Sequence, residues 1–443
     1  MNRRTFIRRS GGTLAAVWAS GAIGQRRAPL RAAPNERIVV AVAGVRGRGS
    51  GLLRTFAAQG DVDVKYVCDV DQSVLDERSE QVASSTGRSP ERIKDFRRAL
   101  DDPAVDALVL GTPDHWHALP TILACQAGKD VYVEKPDGHN LIEGQVMVAA
   151  AGKYDRIVQL GTQMRSAAHM HRAIEYIAAG NLGKPLVARA WESGRQGSIG
   201  RPADAAPPAG VDYDLWLGPA PQRPFNPVRF HGNWRWFFDY GTGDLGNDGV
   251  HRLDVARWAF DTALVAAGQP PLGWPQRVSA AGGKCYFDDL QEWPDTLQVT
   301  WDWGDRLLTY EMRIWVPYRF LGEPEGAAVY GDQGYIVIGN RRWRAYGADD
   351  KLLVEETGDY DDGTHVRNFL DSMRSRARPA ADLASIGHPS SALCHLGNVA
   401  WRTGRTLRFD PQTYTFQGDE EANQYLTRRE YRRPWLLPRA DAV

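Results

Sequence analysis

The stretch VYVEKPDGHN, residues 131–140, runs an apolar strand directly into a charged pair and a proline. Val131–Val133 reads as a short buried strand, so Glu134 and Lys135 stand at its exit and Pro136 sets the turn. A lysine there can serve as general acid or base when a neighbouring cation or partial burial brings its pKa toward neutrality. Adjacent strand residues point to opposite faces, so Glu134 is not expected to be the partner of Lys135. The bland alternative for Lys135 is a strand-end salt bridge to some other acid. A second group, GDLGNDGVHRLDVARW, places His251 close to Asp244, Asn247 and Asp248. An imidazole titrates near working pH, which makes His251 the first choice for proton transfer. Its own bland reading is a helix-start histidine bonded to Asp254 three residues on. Asp114, His115 and His117 cluster at another strand end, but H-x-H without further ligands does not make a metal site, and none is expected.

These groups need elements to hold them. RIVVAVAGVRGRGSGLLRTFAAQGDVDVKYVCDVD reads as strand, glycine-rich turn, helix and strand. Gly44, Gly47 and Gly49 allow backbone to approach a pyrophosphate, and the free N–H groups of the following helix meet the anion. Asp69 ends the second strand about 25 residues after Gly44, near the roughly 20 expected for the acid that bonds a ribose hydroxyl. Counting G-x-G-x-x-G from Gly44 puts Arg46 where the second glycine belongs, so Arg46 either shifts the phosphates or pairs with them. Its neighbour Arg48 lies in the same turn. Further on, Val105–Leu110 and Val131–Val133 read as strands around a helix over 117–127. Alternating strands and helices mean a parallel sheet whose ligands gather at the strands' carboxyl ends. Thr112, Pro113, His117, Glu134 and Lys135 all fall at such ends, where a dinucleotide would lie.

At 443 residues the chain exceeds the roughly 250–300 at which one core stops growing, so two domains are expected. Lys+Arg and Asp+Glu both total 54, which leaves no global charge to recruit nucleic acid or an anionic membrane. Cys68, Cys125, Cys285 and Cys394 fit no CxxC or zinc spacing. Trp234, Arg235 and Trp236, with Tyr240 nearby, form an aromatic cluster that is either a sugar platform or core. The opening NRRTFIRRSGGTLAAVWASGAIGQ pairs Arg3-Arg4 with a Gly/Ala-rich apolar stretch too short to span a membrane. It resembles a twin-arginine export signal, so residues 1–33 are set apart as a leader and the mature protein is expected in the periplasm without stable membrane insertion. Export in the folded state suits a protein that carries its cofactor out of the cytoplasm.

The motifs GVRGRG, CDVD, GTPDHWHA, EKPDGHN, GTQMRS, HGNWRWFFDYGTGDLGNDGVHRLDVARW and YGDQGYIVI, spread over Arg37 to about Phe416, resemble the glucose-fructose oxidoreductase / inositol dehydrogenase / rhizopine catabolism (Gfo/Idh/MocA) family. The resemblance implies an α/β chain: an N-terminal Rossmann domain, here 34–160, and a C-terminal α/β domain with a large open, mainly antiparallel sheet, here 161–416, before a tail over 417–443. Alternating segments such as PLVARAWES, DTLQVTWDW and RLLTYEMRIW agree independently. The last two long helices are expected to pack back on the first domain. The family's activity implies an NAD-dependent oxidoreductase of a sugar, glycoside or polyol hydroxyl, with NADP disfavoured by the charge of Asp69. A hydrolase acting through transient oxidation on the same fold is the alternative. The resemblance assigns Lys135 to the active site and Gln163 and Arg165 to the cleft entrance. It also implies an Asp four residues before His251, where this chain has Asn247; Asp244 and Asp248 are the nearest substitutes. An oligomer built through the open sheet is the expected assembly.

Overall fold

A computed structural model describes residues 37–443; the leader expected over residues 1–33 lies outside the described residues. The first half alternates strand and helix: β1 (Ile38–Ala43), α1 (Arg48–Ala57), β2 (Val62–Cys68), α2 (Gln72–Thr86), β3 (Glu91–Ile93) and α3 (Arg97–Leu100). There follow β4 (Ala107–Leu110), α4 (Ala118–Gln126), β5 (Asp130–Val133), α5 (Leu141–Lys153) and β6 (Val158–Leu160). All six strands are parallel, in the order β3-β2-β1-β4-β5-β6. The apolar ALVL of β4 is buried along its whole length, as a strand covered on both faces must be. Strand order reverses between β1 and β4, and such a switch point opens a crevice at the carboxyl ends. The loops carrying Gly44–Arg48 and Thr112–Asp114 leave those two strands.

The second half begins with α6 (Ala168–Ala178), β7 (Pro185–Ser193), α7 (Tyr213–Leu217) and α8 (Val250–Ala266). Seven strands follow: β8 (Arg277–Gly283), β9 (Thr296–Asp302), β10 (Leu307–Arg313), β11 (Glu325–Gly331), β12 (Gly334–Ile338), β13 (Arg342–Gly347) and β14 (Leu352–Thr357). The chain ends in α9 (Asp362–Ser375), α10 (His388–Thr403), β15 (Leu407–Asp410), β16 (Thr415–Phe416) and α11 (Glu420–Gln424). The ten strands form one sheet, β14-β13-β12-β11-β7-β10-β9-β8-β15-β16. Within this sheet only β7 and β10 pair in parallel among the described residues. In β10, Leu308, Tyr310 and Met312 are buried while the intervening residues are not, the alternation of a sheet with one covered face. Helices α8 and α10 lie on that face.

Two late segments return to the first sheet. Val366, Phe369, Leu370 and Met373 of α9 share a core with Leu52, Phe56 and Tyr132. The segment after residue 416, expected as a tail, is packed: Trp435 lies edge-on to Trp116 at 4.8 Å between ring centres, and Val443 is buried. Its apolar residues are too widely spaced to show a period, so packing here is a tertiary effect.

Candidate active site

The glycine turn after β1 is built for close approach. Gly47 caps α1 with φ +51° and open space where a side chain would start. Gly49 takes the third fingerprint position, and a Cβ there would stand 1.7 Å from the carbonyl oxygen of Gly44. Only glycine lets α1 sit this close to β1. Arg46, in the second position, lines the crevice. Burial, with the Arg46 charge beside it, pulls the His231 imidazole down to about 4. Asp69 follows β2; its Oδ2 accepts from Val45 N at 2.9 Å and its Oδ1 from Asp71 N at 3.1 Å. Burial raises its pKa, and the backbone N–H groups restrain that rise.

A cavity of about 470 Å³ occupies the crevice. Gly44, Arg46, Gly47, Arg48, Asp69, Thr112, Pro113, Glu134 and Lys135 line it from the parallel sheet, while Trp234, Arg235 and Asn247 line it from the second half. Gly49 and His117 stand behind the wall. The His117 ring spans two backbone carbonyls, Nδ1 to Pro136 O at 2.7 Å and Nε2 to Thr112 O at 2.9 Å. It therefore ties the turn after β5 to the loop after β4.

Lys135 precedes a cis peptide bond to Pro136. Its Nζ donates to the backbone oxygen of Asn247 at 2.6 Å and to Asn247 Oδ1 at 3.1 Å. The amide of Asn247 passes the contact on, donating from Nδ2 to Asp248 Oδ2 at 3.0 Å. The turn that aims Lys135 is locked from behind. Asp137, fully buried, accepts from His388 Nδ1 at 2.6 Å, and its N–H donates to Ser391 Oγ at 3.1 Å. Burial pushes Asp137 up, but the charge and hydrogen bond of His388 outweigh it and hold it well below the usual carboxylate range.

The region around Asn247 departs from the expected helical register. Leu245–Gly249 is a π-helical turn leading into α8. A wider turn shifts the side chains that a regular helix would stack at i and i+4. Asn247 accordingly lines the cavity while His251 does not. Burial, followed by the charges of Lys135, Arg252 and Arg48, holds His251 well below its ordinary pKa. His251 was expected to titrate near working pH; its surroundings instead favour the neutral ring. Asp254 is not its partner either, being engaged by Arg165. Asp244 is 2 % exposed and neither of its carboxylate oxygens has a hydrogen-bond partner. Burial and the nearby Asp248 push it up to about 8, so it holds a proton at neutral pH.

Three other expected contacts lie elsewhere. Arg165 forks onto Asp254 with two 2.8 Å hydrogen bonds, buried between the short turn Gln163–Ser166 and α8, and does not reach the cavity. Gln163 Nε2 donates to Glu134 Oε1 at 3.3 Å and so braces the cavity wall from behind. Trp236 is 2 % exposed and belongs to the core of the second half. Arg48 lines the cavity but spends its guanidinium on Glu134 (2.8 Å) and on both oxygens of Asp362 in α9 (2.5 and 2.8 Å). Sequence reasoning missed Trp116, Trp216, Phe230 and His231 as lining residues. It also missed Asp114 as a buried carboxylate there, accepting from Thr242 N and Oγ1 at 3.1 and 2.7 Å. The loop supplying Phe230 and His231 has no periodicity to announce it. No group of three or more His, Cys, Asp or Glu side chains converges on a metal-sized site among the described residues.

Comparison with known proteins agrees with this layout. Residues 20–162 match the model of the oxidoreductase family's NAD-binding Rossmann fold, and residues 186–302 and 332–437 match that family's C-terminal alpha/beta domain. The chain belongs to the Gfo/Idh/MocA oxidoreductase family. Within it, the chain is 28% identical over 153 residues to a glycosyl hydrolase family 109 protein of Shewanella pealeana, covering 31% of this chain and 34% of that one. It is 34% identical over 122 residues to scyllo-inositol 2-dehydrogenase (NAD(+)) of Bacillus subtilis, covering 28% and 35%. These alignments span about a third of each relative. The solved structure of levoglucosan dehydrogenase with NADH and levoglucosan superposes with a TM-score of 0.63 at 16% identity, over 84% of this chain and 99% of that one. At that identity the likeness speaks for the fold.

Proposed function

We propose that this Gfo/Idh/MocA chain is an NAD-dependent oxidoreductase of a secondary hydroxyl on a sugar, glycoside or polyol, with Lys135 as the proton-transfer residue. One observation carries the reading: the only lysine at the end of β5 meets Asn247 from the second half inside the switch-point cavity. The residues present fit a dinucleotide. Gly49 leaves room for nothing but backbone, Gly47 starts a ten-residue helix, and Asp69 is fixed with lone pairs left for ribose hydroxyls. Asp69 favours NAD by opposing a 2′-phosphate, while the cations Arg46, Arg48 and Arg78 lining the same crevice soften this preference. When bound, the nicotinamide supplies the acceptor for the hydride of the carbinol carbon. Lys135 takes the hydroxyl proton, and the Asn247 carbonyl groups hold its amine in place. Trp234 and the Nε of Arg235, buried without a partner, offer the substrate a stacking face and a donor. Buried Asp244 stays protonated beside them.

The leader expected over residues 1–33 supports a periplasmic location, and scarcity of free dinucleotide there supports a tightly held cofactor. Denaturing the purified protein and analysing the supernatant tests this: released dinucleotide is the expected result, and its absence refutes tight binding. Incubating the protein with a panel of sugars and polyols while following reduced-nicotinamide absorbance tests the activity. The resemblance to a glycosyl hydrolase family 109 protein favours a second reading, hydrolysis through transient oxidation. Aglycone release with no net change in reduced nicotinamide would select it.

A further inference from the structure

A second cavity, of about 790 Å³, lies on the other side of the Lys135 turn. Its walls come from residues 139–140, the 238–242 loop, α10 and the segment following α11. Its lining holds buried polar atoms that the fold leaves unmatched. Arg428, whose side chain is 6 % exposed, has neither Nε nor Nη2 in a hydrogen bond; its nearest carboxylate, on Glu143, is 3.6 Å away. Glu143 is occupied by His139 N at 2.7 Å and Tyr431 Oη at 2.9 Å. The Nδ1 of His139 is also buried and unmatched.

These groups differ in kind. Arginine N–H groups can only donate. The His139 Nε2 stands 2.8 Å from the carbonyl oxygen of Phe238, which can only accept, so Nε2 carries the proton and Nδ1 presents a lone pair. Burial, with Arg428 and the other imidazoles nearby, keeps His139 well below its ordinary pKa and hence neutral. A second cation, Arg402, is held on rings, 4.3 Å from the centre of Phe238 and 4.0 Å from that of Tyr425. Phe238 and Trp293 supply aromatic lining. An unmatched buried donor costs about 1–3 kcal/mol, more when charged, so such atoms are ordinarily met by something. The lining also carries Asp239, Glu421 and Glu430, but Arg223 and Arg405 pair with the first two, so the two guanidiniums oppose a bare metal cation, and a simple anion leaves the His139 acceptor unmet.

We propose that this cavity is a second binding site for a hydroxylated oxyanion, a sugar acid or sugar phosphate, whose anionic group meets Arg428 and Arg402 and whose hydroxyl donates to His139 Nδ1. It is separate from the dinucleotide cavity, with which it shares no lining residue. The two are joined by Thr242, which lines this cavity and holds Asp114 in the other.

Isothermal titration calorimetry and thermal-shift measurements on the full chain test the site without any need for turnover, so their outcome is independent of the proposed activity. The probes are gluconate, glucose 6-phosphate, inorganic phosphate and glucose. At least one of the two hydroxylated anions should bind saturably and raise the melting temperature, more tightly than phosphate or glucose. Arg402→Leu should weaken that ligand about tenfold or more, and His139→Phe should weaken it while leaving phosphate unchanged. Arg428→Met should abolish binding, provided its unliganded unfolding transition stays cooperative; the other two variants decide if it does not. Equal binding of inorganic phosphate overturns the hydroxyl contact, and equal binding of glucose overturns the anion contact. No saturable binding of either hydroxylated anion, or binding indifferent to Arg402 and His139, overturns the site.

Discussion

Asp244→Asn is the substitution whose consequence follows most directly from burial. The carboxyl has no hydrogen-bond partner, is 2 % exposed, and is pushed from 3.8 up to about 8 by burial and by Asp248. In the unfolded chain the group ionises at its ordinary value. Between about pH 4 and pH 8 the folded state therefore holds a proton that the unfolded state has released, and stability falls as pH rises through that window. At about 1.4 kcal/mol per pH unit the full span is a ceiling of about 6 kcal/mol. Sharing of the proton with Asp248 and side-chain relaxation bring the expected effect to on the order of 2–3 kcal/mol. An amide of the same shape does not ionise, so the variant should match the wild type near pH 4.5 and exceed it by that amount near pH 8. Urea unfolding at half-unit steps of pH reads the difference. Parallel pH profiles for the two proteins, or an advantage of the variant that shrinks from pH 4.5 to pH 8, would refute the assignment of a buried neutral carboxyl.

Gly49→Ala places a methyl group 1.7 Å from a backbone oxygen and should cost about 3 kcal/mol or more, together with dinucleotide binding measured by fluorescence titration. Arg48→Met cuts the link from Glu134 to Asp362; thermal unfolding should show a loss of about 1–2 kcal/mol after allowance for its partial exposure, and limited proteolysis should cut earlier ahead of α9. His251→Gln should lower turnover less than about tenfold in steady-state assays, because a group held neutral outside the cavity is a poor proton carrier.

Four strands of the parallel sheet were legible because they are β-rich runs bounded by glycine, proline or charge, and because Gly44–Asp69 spans one βαβ step; β3 (Glu-Arg-Ile) and β6 (Val-Gln-Leu) are too short and too polar to announce themselves. Lys135 was legible for the same reason: the strand before it is unambiguous. The opposite wall of the cavity was not. Asn247 and His251 were read in α-helical register, but Gly246 and Gly249 sit in a π-turn that separates them. Arg165 looked like a cleft residue because nothing local marks Asp254, 89 residues away, as its partner. The role of Arg48 as a strut to α9 is likewise a contact across 314 residues. Trp435 and Val443 carry no period, so their packing on the first half depends on surfaces that exist only after folding.

NAD binding in the switch-point cavity and proton transfer by Lys135 stand or fall in one experiment. The direct test measures dinucleotide affinity and single-turnover oxidation of the best sugar or polyol substrate for the wild type and Lys135→Met side by side. Dinucleotide affinity should change by less than about threefold while oxidation falls by about 10²–10⁴-fold. Undiminished oxidation in the variant, or a wild-type protein that binds no dinucleotide, would contradict them.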